Sequence, residues 1–154
     1  KYSVERPLHL GASLAGADGA VLEALTAYGL PLGIAFQLRD DVLGVFGDPA
    51  ETGKPAGDDL REGKRTVLVA LTLERATPAQ AEVVERLLGD AALDAAGVAE
   101  LRTIIDGTGA LAACEAMIDR YTAEAEAALA AAPLVPEAAA ALGALTVAAT
   151  ARRL

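Results

Sequence analysis

The sequence has one Cys, one His and no Trp, and aromatic residues make up only 3% of it. A single cysteine cannot form a disulfide within the chain, and one Cys with one His cannot build a Cys/His zinc site. Cys114 lies in an Ala-rich stretch, where it reads as a small core residue. Positive charge is also short. Thirteen Lys and Arg stand against 22 Asp and Glu, a net charge of -9, which argues against nucleic-acid binding. Long hydrophobic runs are missing too. The longest uncharged runs, Ala24–Leu38 and Ala138–Ala151, are shorter than the roughly 20 residues a membrane span needs. The pattern predicts no span, no signal peptide and a reducing, cytoplasmic setting. The first residue is Lys1 and not Met, which suggests a processed or trimmed piece of something longer.

What the sequence does have is aliphatic: 53% of its 154 residues are hydrophobic, dominated by Ala and Leu, with Val and Ile scattered singly. Ala and Leu favour helix, so an all-α domain is expected over 1–154, with no internal repeat and no linker. A helix over Val4–Leu14 precedes a turn at Ala15-Gly16-Ala17-Asp18. Asp18 can cap a long second helix that runs to Phe46, with a kink expected at Gly29-Leu30-Pro31. A polar loop, Gly47–Gly63, follows. Helix resumes over Lys64–Ala76, then from Thr77-Pro78 to about Leu88, Asp94–Asp106, Thr108–Ala131, and from Pro136 to Arg152-Arg153. His9, alone in an apolar helix, reads as a packed or hydrogen-bonded structural residue.

The informative stretch is Phe36-Gln37-Leu38-Arg39-Asp40-Asp41-Val42-Leu43-Gly44. On a helical wheel Gln37, Asp40, Asp41 and Gly44 fall at i, i+3, i+4 and i+7, on one face, with Arg39 opposite. Two neighbouring carboxylates repel, cost free energy to bury, and here lie toward the negative end of the helix dipole. The bland alternative is that both face water at a helix end. The pointed one is a hard divalent cation such as Mg²⁺, which takes carboxylate oxygens and completes its shell with water and phosphate. The polar loop supplies the complementary charge. Lys54 and Lys64 each follow a glycine, and glycine lets backbone approach a ligand closely. Gly47–Lys54 and Gly57–Thr66 resemble nucleotide P-loops superficially. Each has five residues between its glycines where the P-loop has four, and neither is followed by the required Ser or Thr.

Taken together, GIAFQLRDDVLGVFGDPAETGKPAGDDLREGKRTVLVA resembles the second aspartate-rich region of the polyprenyl synthetase family, to which farnesyl and geranylgeranyl diphosphate synthases belong. The F-Q-x-x-D-D helix, the G-D loop, T-G-K, G-x-D and G-K-x-T stand in order and at family spacing. Tyr2–Leu8 resembles the helix just before it, and the last third follows by helical pattern alone. The resemblance implies the C-terminal half of the isoprenoid synthase helical bundle and head-to-tail prenyl transfer. An allylic diphosphate condenses with isopentenyl diphosphate, with Mg²⁺ (or Mn²⁺) as the ion. It further implies Asp40 and Asp41 as metal ligands, Gln37, Lys54 and Lys64 toward the allylic diphosphate, and Asp58 and Asp59 acting through water or Lys64. A homodimer is implied for the complete enzyme, with the N-terminal half as the missing partner. Two departures stand out. Gly44 occupies the third position of the fullest D-D-x-x-D motif, and the first aspartate-rich motif is absent. This stretch alone is therefore expected not to turn over. The alternatives are a non-catalytic helical partner of a synthase and, less well matched by Lys54 and Lys64, a terpene cyclase of the same fold.

Overall fold

The computed structural model describes residues 2–48 and 57–151. Eight helices lie among them, with no strand: α1 (Glu5–Leu14), α2 (Gly19–Phe46), α3 (Asp58–Arg61), α4 (Val67–Arg75), α5 (Pro78–Leu87), α6 (Ala95–Gly107), α7 (Ala110–Ala131) and α8 (Pro136–Thr150). Local chemistry explains several of the starts. Asp18 Oδ1 accepts from the Val21 amide at 3.0 Å. Thr77 and Gln80 form a reciprocal capping box ahead of Pro78, and Asp94 accepts from the Gly97 amide at 2.8 Å. Pro31 sits inside α2, which continues through it without a break.

Four boundaries differ from expectation. The polar loop contains a short helix, α3, entered through Gly57 in the left-handed conformation (φ +73°). The next helix starts at Val67 and not at Lys64, because Thr66 is extended and its hydroxyl caps the Val69 amide at 3.3 Å. α7 starts at Ala110 and not Thr108, which lies at the C-terminal end of α6. The last helix ends at Thr150, short of Arg152-Arg153, which fall outside the described residues.

The described residues divide into two compact units, 2–37 with 117–151 and 38–48 with 57–116, and the boundaries fall inside α2 and α7. In the first unit Tyr28, Leu32, Ala125 and Ala149 form a buried cluster, flanked by Val4, Leu8, Phe36, Ala128, Leu129 and Leu142. Burial of the Tyr28 ring obliges its hydroxyl to find partners. It donates to the Leu142 carbonyl at 2.7 Å and lies 3.0 Å from Thr146 Oγ1. His9 bridges α1 to α2, its Nε2 lying 2.8 Å from Thr26 Oγ1 and 3.2 Å from the Leu22 carbonyl. Its expected structural role is what the contacts show.

The second unit carries the aspartate pair. Leu38, Val42 and Val45 of α2 are buried, as are Leu60 of α3, Leu68 and Val69 of α4, Val84 and Leu87 of α5, Val98, Leu101, Ile104 and Ile105 of α6, and Cys114 of α7. α2 is long and apolar enough, by length and composition, to cross a membrane. Its buried side chains and its Arg39-Asp40-Asp41 triplet suit a core helix instead.

Candidate diphosphate and metal site

Within α2 the two sides of the helix have separate partners. Arg39 is buried and turned to α7, where its guanidinium makes a two-pronged contact with Glu115, Nη1–Oε1 at 2.7 Å and Nη2–Oε2 at 2.8 Å. That pairing is the strong geometry for a guanidinium and a carboxylate. It keeps the cation off the aspartate face, as the wheel anticipates. On that face Asp41 is buried, at 7% exposure, Asp40 is half-buried, and Gln37, the last residue of the first unit on the same continuous helix, is exposed.

The helix end is not left to a metal alone, as dipole reasoning from sequence had it. Arg102 of α6 donates from Nε to the Val45 carbonyl at 2.7 Å, and its guanidinium lies over the Phe46 ring, 5.6 Å from the centroid. A cation thus caps one of the last carbonyls of α2, where the dipole favours it.

Gly44 explains itself in three dimensions. Glycine inside a helix costs about 1 kcal/mol relative to alanine. A Cβ built on Gly44 would overlap Oδ2 and Cγ of Asp59, and Oδ1 would lie only 3.0 Å away. The carboxylate of α3 therefore fills the space of a side chain at position 44. Asp59 is 4% exposed, and its Oδ1 accepts from Lys64 Nζ at 2.7 Å. That hydrogen bond, with the negative charge of Asp59, Glu62 and Asp41, raises the Lys64 pKa against the opposing effect of burial. Nearby, burial and then the charge of Asp41 push the Cys114 thiol up to about 11, so it is a neutral core group, as expected.

The second unit therefore brings Asp41, Gly44, Asp59 and Lys64 together, with Asp40 adjacent on α2. Asp58, half-buried at the first position of α3, stands beside them in sequence. Lys54 lies outside the described residues. Sequence reasoning missed the seat of Asp59 on Gly44, the Arg39–Glu115 pair and Arg102. The first had a signal: a glycine within a helix at the place where the motif has a carboxylate.

Comparison with known proteins gives the family. The family model for polyprenyl synthetase matches residues 2–105. The chain belongs to the polyprenyl synthetase family. Within it, the chain is 38% identical over 132 residues to a geranylfarnesyl diphosphate synthase of Aeropyrum pernix, covering 86% of this chain and 40% of that protein. It is 47% identical over 81 residues to a geranylgeranyl diphosphate synthase of Saccharolobus solfataricus, covering 53% of this chain and 24% of that protein. Among solved structures, a geranylgeranyl pyrophosphate synthase from Corynebacterium glutamicum, complexed with isoprenyl diphosphate and magnesium, matches with a TM-score of 0.94. It is 48% identical and covers 99% of this chain and 43% of that one. A polyprenyl synthase from Caulobacter crescentus, complexed with calcium and isoprenyl diphosphate, matches with a TM-score of 0.80 at 43% identity, over 94% of this chain and 44% of that one. The chain thus spans less than half the length of these relatives. The all-α isoprenyl synthase fold is shared with them.

The residues also fit a divalent metal. Asp40 and Asp41 offer hard oxygen donors on one helix face. Among the described residues no three His, Cys, Asp or Glu side chains form a cage for an ion. That donor set suits an ion bound through one or two carboxylates and completed by water and substrate phosphate, as Mg²⁺ is.

Proposed function

We propose that this chain carries the diphosphate-and-metal half of a prenyltransferase site, which condenses an allylic diphosphate with isopentenyl diphosphate to give a longer isoprenyl diphosphate. The observation that carries the proposal is the seat of Asp59 against α2 at Gly44, one turn beyond Asp40 and Asp41, with Lys64 Nζ held 2.7 Å from its Oδ1. Carboxylates for a metal thus stand beside a cation for phosphate. The names of the relatives, all isoprenyl diphosphate synthases, point to the same chemistry.

In this reading Asp40 and Asp41 bind Mg²⁺, or Mn²⁺ in its place. Such an ion, when bound there, would supply positive charge against the diphosphate. Lys64 holds a phosphate oxygen and Lys54 another, while Gln37 orients the allylic diphosphate. Asp58 and Asp59 act from the outer layer of the site, through water or Lys64. Arg39 is held by Glu115. The buried apolar side of α2 excludes water from one flank. The complete enzyme would be a soluble, cytoplasmic homodimer, with the isopentenyl diphosphate site and the first aspartate-rich motif in its N-terminal half. Residues 1–154 alone would not turn over.

The test is condensation by the full-length protein, supplied with Mg²⁺, isopentenyl diphosphate and an allylic diphosphate. Asp40→Ala or Asp41→Ala should lower kcat by at least about 100-fold. Unchanged turnover would sink the site assignment. No turnover by the wild type at all would favour the reading as a non-catalytic partner of a synthase.

A further inference from the structure

We propose that Asp59 is a positioning residue for Lys64, acting from a seat that glycine at position 44 leaves open. The proposal rests on the diphosphate-binding reading of Lys64.

The seat is defined from both sides. On the α2 side, Asp59 Oδ2 and Cγ occupy the volume that any side chain at position 44 would enter, and the carboxylate is 4% exposed. On the far side, α3 cannot slide away freely. Arg61 Nε donates to the Leu93 carbonyl at 2.9 Å, and the Gly89 amide donates to the Leu60 carbonyl at 2.8 Å. Gly57, at the entry to α3, packs so closely on Val98 that a Cβ there would lie 2.7 Å from Cγ1. α3 is short, but it is pinned to α6 and to the loop between α5 and α6.

From this seat Asp59 holds residue 64 twice. Its carbonyl accepts from the Lys64 amide at 3.0 Å, and Oδ1 accepts from Lys64 Nζ at 2.7 Å. The lysine side chain remains 46% exposed. One donor of the ammonium is thus fixed while the side chain stays open to a ligand. Positions 44 and 59 compete for one volume. The carboxylate one turn beyond the Asp40–Asp41 pair on that face comes from α3, and its partner is a lysine.

Two experiments on the full-length protein test this. The first is calorimetric titration with inorganic pyrophosphate in Mg²⁺. On charge alone, Asp59→Asn removes a negative group beside Lys64 and should tighten anion binding. A positioning role predicts the opposite, weakening of about tenfold, with little further loss when Lys64→Ala is added. Equal or tighter binding by D59N overturns the role. The second needs no ligand. Gly44→Ala should destabilise the fold while Asp59 is present. It should stabilise it in an Asp59→Ala background, where the added methyl has room and alanine favours helix. The same sign in both backgrounds overturns the seat. If the wild type binds no magnesium pyrophosphate, the diphosphate reading falls and the role of Lys64 with it, and the second experiment decides the seat by itself.

Discussion

Glu115→Gln isolates the ion pair that orients α2. Arg39 has a side chain only 10% exposed, and both prongs of its guanidinium meet Glu115, at 2.7 and 2.8 Å. Arginine cannot shed its proton in a protein. The amide of glutamine keeps the shape but presents one NH₂ where an oxygen had been, so a donor faces a donor. Breaking a fully buried pair by removing one partner costs about 3–5 kcal/mol. Glu115 is 33% exposed, so water screens part of the loss, and about 2 kcal/mol is expected. For a chain of this size that corresponds to a Tm lower by about 4–8 °C. Replacing both partners with apolar residues, Arg39→Met with Glu115→Leu, should cost far less than either change alone, because no charge is then left buried. The assay is urea unfolding of the wild type, both single variants and the double. A Glu115→Gln loss below about 0.5 kcal/mol, or additive single losses, would refute this energetic role for the pair.

Other consequences are equally open to measurement. Tyr28→Phe removes the hydroxyl that donates to the Leu142 carbonyl and lies beside Thr146, both within the first unit, and should cost about 1–2 kcal/mol in thermal unfolding. Cys114 should react with a thiol reagent at pH 8 far more slowly in the folded protein than after denaturation, because its thiol is buried and shifted to about 11. Its folded pKa lies above the ordinary 9.0, so its contribution to stability is full below pH 9 and falls as pH rises toward about 11. Cys114→Ala should remove that part of the alkaline decline. Lys64 is likewise raised above its ordinary 10.5, so its pair with Asp59 should persist through neutral pH and weaken only above that value. Unfolding measured against pH in Lys64→Met checks it.

Much of this was legible in the sequence. Helix type followed from composition and period. The starts at Asp18, Thr77 and Asp94 followed from side chains that cap their own amides, which is local chemistry. Hydrophobic period misled at Lys64. Thr66 is the N-cap, and a threonine ahead of an apolar run is a start signal that the hydrophobic period does not carry. α3 was hidden in the polar loop because its four residues are held by partners distant in sequence, such as Leu93 and Gly89. The face shared by Gln37, Asp40, Asp41 and Gly44 is a property of a single helix, so the wheel found it. The role of Gly44 is not such a property. It depends on where α3 lands: the carboxylate that position 44 lacks in sequence is supplied in space by Asp59. Arg39 illustrates the same limit: the wheel turned it away from the aspartates, but its partner lies 76 residues along the chain.

The most direct test of the central claim is binding of Mn²⁺, followed by electron paramagnetic resonance on the full-length protein with inorganic pyrophosphate present. The wild type should bind the ion, and Asp41→Ala should weaken binding at least about tenfold. Undiminished Mn²⁺ binding by Asp41→Ala would contradict the assignment of this helix face to the metal.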